Sequence, residues 1–184
     1  GVDVNKYNRT AVSPIQSLIC VANNGIIGNV GEDRKGFIPA INAAKKLNLP
    51  ITICGPTNSN KHFFELHPQN YEKLILKYDL NEDQLIEEMG KHSIFLHPSN
   101  IETGHPNMTM LEALSVGLPV VGTYWGKDIP GVIKSTRDEN DLCNQIHKVL
   151  NNLQQLSYDA RQSALKFSWD NLYSKLFKIY NDYI

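Results

Sequence analysis

Two carboxylates, Glu102 and Glu112, flank a single strong helix-start residue, Asn107, in the run HPSNIETGHPNMTMLEALSVGLPVVGT. Asn is favoured at an N-cap, and Pro106 stands immediately before it. The residues Met108-Thr109-Met110-Leu111-Glu112-Ala113-Leu114 are all compatible with a helix, which Gly117 ends and Pro119 cannot continue. A helix start carries backbone N–H groups without intrahelical partners at the positive end of the helix dipole, so it attracts phosphate. Here those donors belong to Asn107, Met108, Thr109 and Met110, with the Thr109 hydroxyl as an extra donor. A carboxylate can accept two hydroxyls at once. Donors for phosphate beside acceptors for hydroxyls suit a nucleotide sugar. His105, in the same loop, is either a donor to phosphate or sugar hydroxyls or a solvated loop residue.

The elements that must position these residues are legible as apolar runs between turn signals. Leu18 to Ala22, Ile51 to Gly55, Leu74 to Leu76, Ile94 to Leu96, Val120-Val121 and Val132-Ile133 read as short strands, nearly continuous in apolar character. Helical periodicity separates them. One helix opens at Arg34-Lys35-Gly36-Phe37 and runs to about Leu47 with Ile38, Ile41, Ala44 and Leu47 inward; a short one spans Lys61 to Leu66 after a loop at Pro56 to Asn60. Asn81 caps another, with Leu85, Ile86 and Met89 inward, and three more follow from Asp141, Leu153 and Ser168-Trp169-Asp170. Alternating strands and helices predict an α/β fold, a Rossmann-like doubly wound parallel sheet with helices on both faces. Ligands bind such sheets beyond the carboxyl ends of the strands, where the loop 100–107 is expected to lie.

Composition narrows the function. The 184 residues suit one domain or a little more, 41% hydrophobic and 20% charged, as in an ordinary globular protein. A net charge of −1 gives no electrostatic case for nucleic acid. No apolar run approaches the ~20 residues of a membrane span. Cys20, Cys54 and Cys143 lack metal-ligand spacing and read as buried thiols of a reducing compartment. The glycines at 25, 28 and 31 are spaced G-x-x-G-x-x-G, with charged residues before the helix, which argues against a dinucleotide fingerprint. A glycosidase carboxylate pair is disfavoured because the two acids straddle a phosphate-type helix start. His97, at the end of the fourth strand, is either a structural histidine or a catalytic one.

The run from His97 resembles the signature of the family-4-type retaining glycosyltransferases of GT-B fold, roughly P-S-x-x-E, seven residues, then E-A-x-x-x-G-x-P-V-V. Pro98, Ser99, Glu102, Glu112, Ala113, Gly117, Pro119, Val120 and Val121 fall on that pattern. Nine residues rather than seven separate the two acids, and a Gly-Gly-x-x-Glu segment usual after the next strand is absent. The resemblance also covers Gly1-Val2-Asp3, which matches the linker into the donor-binding C-terminal domain, the Lys35-Gly36 helix start, and Ser168-Trp169-Asp170 before a last helix. The family's arginine after the first strand is replaced by Asn23 or Asn24.

What the resemblance implies can be set out residue by residue. Glu102, meeting donor-sugar hydroxyls, and Lys35, neutralising the leaving diphosphate, are the catalytic candidates. Glu112 would accept the ribose hydroxyls, the N–H groups of Asn107, Met108, Thr109 and Met110 would cradle the diphosphate, and Arg34 would assist, while His105 keeps both of the readings given above. Tyr78 and Leu80, after the third strand, would border the nucleobase, the alternative for Tyr78 being half-buried packing. By composition alone Arg34 and Lys35 would pass as solvated charges. The implied protein transfers a glycosyl group from a nucleotide diphosphate sugar (a UDP-sugar or GDP-mannose) with retention, without metal or other cofactor. Residues 1–17 would be an interdomain lead-in, 18–168 the nucleotide-sugar-binding domain, and 169–184 a helix packing back on an N-terminal domain that holds the sugar or glycolipid acceptor. The implied setting is cytoplasmic, with no more than peripheral contact at the inner membrane surface. The rival is a nucleotide-sugar-binding module without turnover when separated from its acceptor domain.

Overall fold

The computed structural model describes residues 1–8, 13, 15–23, 33–100 and 106–182. Six parallel strands form one sheet: β1 (Leu18–Val21), β2 (Ile51–Gly55), β3 (Leu74–Tyr78), β4 (Ile94–His97), β5 (Val120–Gly122) and β6 (Val132–Lys134), in the order β3-β2-β1-β4-β5-β6. Between and after them lie α1 (Phe37–Leu47), α2 (Thr57–Leu66), α3 (Glu82–Met89), α4 (Met108–Ser115), α5 (Glu139–Asn151), α6 (Leu153–Leu165) and α7 (Trp169–Asp182). The α/β, doubly wound parallel architecture expected from the strand and helix periods is the one observed.

Strand residues alternate between two cores, as the pleat requires. Leu18, Cys20, Ile51, Ile53, Ile94, Leu96 and Val121 face α1, α2 and α5. Ile19, Val21, Cys54, Phe95 and Val120 face α3, α4 and α6. The central strands β1 and β4 are buried along their whole length, which is why they read as unbroken apolar runs. The strand order reverses direction between β1 and β4, whose register pairs Leu18 with Ile94 and Ile19 with Phe95. That pair is the switch point, and the loops leaving it diverge to opposite faces.

The largest boundary difference from the sequence expectation is at the second helix. Helix α2 begins at Thr57, inside the segment expected as loop, because Asp79 caps it from the end of β3. The Asp79 carboxylate accepts from the Thr57 N–H at 3.0 Å and from the Thr57 hydroxyl. The cap lies 22 residues away in sequence, so no local pattern announces it.

The two ends of the chain meet. Val2, Val4 and Tyr7 are buried against the α3–α4–α6 core. Arg161 of α6 donates to the carbonyls of Val4 and Tyr7, at 2.7 and 2.8 Å, and Val2 N–H donates to Phe167 O at 3.0 Å. Helix α7 then leaves the body with no buried residue. Trp169, Tyr173, Leu176 and Tyr180 recur at helical spacing and stay about half exposed, with Phe177 beside them. None of the described helices is long and apolar enough to cross a membrane.

Candidate functional site

At the switch point the start of α1 is sewn to the loop after β4. Asn100 N–H donates to Arg34 O at 2.8 Å, and the Ser99 hydroxyl donates to the same carbonyl at 3.2 Å. Gly36 sits at φ 76°, and a Cβ there would stand 2.1 Å from Pro98 O. Glycine is required both by the left-handed backbone and by the approach of the two loops. The contact brings the turn bearing Arg34 and Lys35 beside the chain leading to α4, two segments the sequence assigned to one site.

The two helix starts are finished differently. At α1, Asp33 reaches forward and closes the end, accepting from Phe37 N–H and Ile38 N–H at 2.8 Å each. The third residue of that helix is Pro39, which has no N–H, and Ala40 N–H bonds to Gly36 O. Arg137 backs the arrangement, donating to Asp33 O at 2.6 Å with its guanidinium 3.5 Å from the Asp33 carboxylate. Every donor of the first turn of α1 is thereby used within the protein.

At α4, Asn107 is the N-cap, as its residue type predicted: its side-chain oxygen accepts from Met110 N–H at 3.0 Å and from the Thr109 hydroxyl at 3.1 Å. The N–H groups of Met108 and Thr109 hydrogen-bond to no described residue. Behind the cap stands His97, buried at the end of β4, with its Nε2 2.8 Å from Asn107 Nδ2. With Asn107 donating, that ring nitrogen accepts. The histidine acts through Asn107, orienting the cap, which favours the structural of its two sequence readings.

Glu112 is half-buried one turn into α4. Burial pushes its carboxyl above the ordinary carboxylate range, opposed by interaction with the Tyr7 hydroxyl. Tyr7, from the lead-in, lies against both Glu112 and Glu82, and its phenol is raised by burial and by those two charges. Leu80 lines a cavity of about 260 Å³ beyond the ends of β1 and β2, together with Val21, Gly55, Pro56 and Leu85. Tyr78 points elsewhere. It is absent from that lining, and its phenol is raised by burial and, less, by Glu65 on α2, on the opposite face of the sheet. Glu102 and His105 lie outside the described residues.

Sequence reasoning missed Asp33, Arg137 and Tyr7. Asp33 carried a faint signal, an N-cap-type residue just before a helix, but the cap position itself is Gly36. Arg137 and Tyr7 reach the site across 104 and 105 positions of chain, from Asp33 and to Glu112, and only the fold joins them. Among the described residues no group of three or more His, Cys, Asp or Glu side chains is placed to hold a metal ion.

Residues 24–152, well over half of the chain, match the family described as Glycosyl transferases group 1. The chain belongs to the group 1 glycosyl transferases. A search of curated proteins by sequence returned no significant match. Solved structures of the same fold include Anabaena HepE in complex with UDP and glucose, at TM-score 0.74 and 15% identity over 98% of this chain and 55% of that one. They also include sucrose-phosphate synthase from Thermosynechococcus elongatus, at TM-score 0.76 and 13% identity over 99% and 51%. A glycosyltransferase from Rickettsia africae gives TM-score 0.73 and 17% identity over 99% and 55%. The chain thus spans about half the length of these structures. The resemblance to the C-terminal, Rossmann-like half of GT-B glycosyltransferases holds in sequence family and in fold.

Proposed function

We propose that this chain is the donor-binding domain of a glycosyltransferase that moves a sugar from a nucleotide diphosphate to an acceptor hydroxyl, with retention and without a metal ion. The observation that carries the reading is the helix start of α4, whose Met108 and Thr109 N–H groups are left for a ligand next to the Lys35 turn at the switch point. A diphosphate seated there meets backbone donors, the positive end of a helix and a lysine. As the bond between the anomeric carbon and the phosphate oxygen breaks, negative charge grows on the departing diphosphate, and prearranged donors stabilise it most at that moment. In this reading Lys35 supplies the cation with Arg34 beside it, Glu102 meets the sugar hydroxyls, His105 is a further donor, and Glu112 accepts from the ribose. The Leu80 cavity receives the base, which matches its place beyond β1 and β2.

The HepE structures hold UDP with glucose and UDP-glucose, which supports a UDP-sugar as the donor. The acceptor, a sugar or glycolipid, and the other wall of the cleft belong to a further domain in this reading. The half-length coverage of related structures and the exposed aromatic stripe of α7 support that. They also support a narrower second reading, in which the isolated chain binds nucleotide sugar without turning it over.

Calorimetric titration with UDP, GDP and ADP tests the donor site. At least one should bind, and silence from all three at millimolar concentration would sink the proposal. Uridine affinity gives a pH signature. Glu112 must be ionised to accept both ribose hydroxyls, and its carboxyl titrates above the usual range. Affinity should therefore be full at neutral pH and fall on acidification earlier than an ordinary carboxylate would allow, and Glu112→Gln should lower the affinity and remove that dependence.

A further inference from the structure

A second and larger cavity, about 590 Å³, opens at the carboxyl ends of β4, β5 and β6, on the side of the switch point away from the base cavity. It shares Ser99 and Asn100 with the loop that anchors the start of α1. Its size lies in the range of small-molecule sites. One wall is Trp125, on the loop after β5, with 80% of its surface exposed. The indole is not on a loose tether. Its neighbour Tyr124 is buried, and a Cβ on Gly126 would stand 2.4 Å from the Tyr124 hydroxyl, so the chain folds down closely on both sides of Trp125. A large aromatic held out at the mouth of a cavity lined by both apolar and polar groups invites a partner with one apolar face and a polar rim.

The opposite wall is polar and fixed. Thr136 donates through its N–H and hydroxyl to Asp141, at 2.7 and 2.9 Å, and Thr123 donates to Ser99 O. The charges do not select an anion. Lys134 is paired with Asp128 at 2.7 Å, Arg137 with Asp33 at 3.5 Å, and Asp141 contributes a carboxylate of its own. What remains is an indole plate facing the Asn100 amide and an Asp141 carboxylate that already accepts from Thr136 and from Gln145 at 2.9 Å. We propose that this cavity is a carbohydrate subsite, in which a neutral pyranose lies with its apolar C–H face on Trp125 and its hydroxyls towards Asn100, Thr136 and Asp141. As it borders the diphosphate loop without overlapping the base cavity, the sugar it holds is a neighbouring unit of the acceptor whose reacting end the further domain seats. That last assignment rests on the donor-site reading above; the carbohydrate site does not.

The chain has two tryptophans, so Trp169→Phe leaves Trp125 as the sole indole reporter. That variant should show a saturable change in emission with at least one of methyl glucoside, methyl galactoside, methyl mannoside, N-acetylglucosamine or maltose, and none with glycerol. Saturation-transfer NMR with the responding sugar should show binding weakened about tenfold or more by Trp125→Ala, with much of it kept by Trp125→Phe, since ring area rather than the indole N–H makes the platform. No saturable response to any of these sugars, or a Trp125→Ala chain that binds as the parent does, overturns the proposal. UDP calorimetry on the same proteins separates the two claims. Lost sugar binding with UDP affinity within about twofold supports a distinct subsite; a parallel loss of UDP would place Trp125 in the donor site and overturn it. Failure of UDP to bind any of the proteins counts against the donor reading and leaves the sugar result to stand or fall alone.

Discussion

Helices α1 and α4 start side by side at the same switch point, yet one start is closed and the other is left open. At α1 a carboxylate from the chain itself, Asp33, occupies the place an anion would take, and Pro39 deletes a further donor. At α4 a neutral side chain, Asn107, takes the third N–H, and the first two bond to no described residue. The difference shows that a helix N-terminus in the right place is not yet a phosphate site. What decides is whether the protein has already spent the donors. It also assigns distinct roles to nearby residues: Asp33 holds α1 in place, while Lys35, two positions on, is the cation of the proposed site at α4.

The largest effect should come from removing the closed end's carboxylate. Asp33→Ala strips two charge-assisted bonds from a helix start and removes the carboxylate that stands 3.5 Å from Arg137, and should cost about 2–3 kcal/mol of stability. Urea denaturation would measure it. Nucleotide binding to the folded variant should stay within about twofold, because a cap that only holds α1 does not touch ligand. A much larger loss of UDP affinity in a chain that remains folded would put α1 on the binding side and break the contrast.

Lys35→Ala should do the reverse, leaving stability nearly unchanged while weakening UDP about tenfold, or roughly 1.4 kcal/mol, the low end for a bond to a charged group. Uridine, which lacks phosphate, should lose less than about twofold. Equal losses for both ligands would show that Lys35 does not hold the diphosphate.

A subtler change tests the open end directly. Met108 is the first residue of α4, is about half exposed, and follows Asn107 at φ −80° and ψ 172°. Proline fits the first helical position, and an extended residue suits the place before it. Met108→Pro should therefore keep the fold within about 0.5 kcal/mol while deleting one donor from the cradle, weakening UDP about three- to tenfold, or roughly 0.7–1.4 kcal/mol. Unchanged UDP affinity would mean that the open donor is not used.

How much of this the sequence disclosed follows from the reach of the interactions. The strands of the sheet, the start of α4 and its Asn107 cap depend on periodicity and on neighbouring residues, and they were legible. The start of α2 was not, since its cap is Asp79 at the end of another strand. The same limit applied at the site. Asn107 and Lys35 could be named because each sits in a local pattern. The closure of α1 by Asp33 and Arg137, and the approach of Tyr7 to Glu112, exist only once β1, β4 and β6 are assembled. Tyr78 shows a finer version: its place at a strand end was legible, but which face of the sheet it takes depends on pleat register, which one residue reverses.

The smallest effect concerns the opposite end of the sheet, where a polar cluster is likewise spent internally. His92 is buried at the turn into β4, with Nδ1 3.1 Å from the Ser17 hydroxyl and Nε2 3.3 Å from Glu88. Glu88 also accepts from Lys77 at 2.6 Å and from Lys91 at 3.4 Å. Burial holds the His92 pKa below 6.5, partly offset by Glu88. Burial alone would raise Glu88, but its bonds to Lys77 and His92 together hold it below 4.5. Both shifts act in one direction. The unfolded chain takes up a proton at His92 near 6.5, before the folded chain does, so stability is full above that pH and declines as pH falls towards the folded pKa. Glu88 adds a second decline further down, from about 4.5 through its depressed folded value. His92→Gln keeps hydrogen-bonding capacity and removes the first titration. Its denaturation midpoint should be flatter than the parent's between neutral pH and the Glu88 range, with UDP affinity unaltered. A variant that keeps the full slope would shift the acid sensitivity to groups other than His92. A variant that loses UDP would show that the two ends of the sheet are coupled.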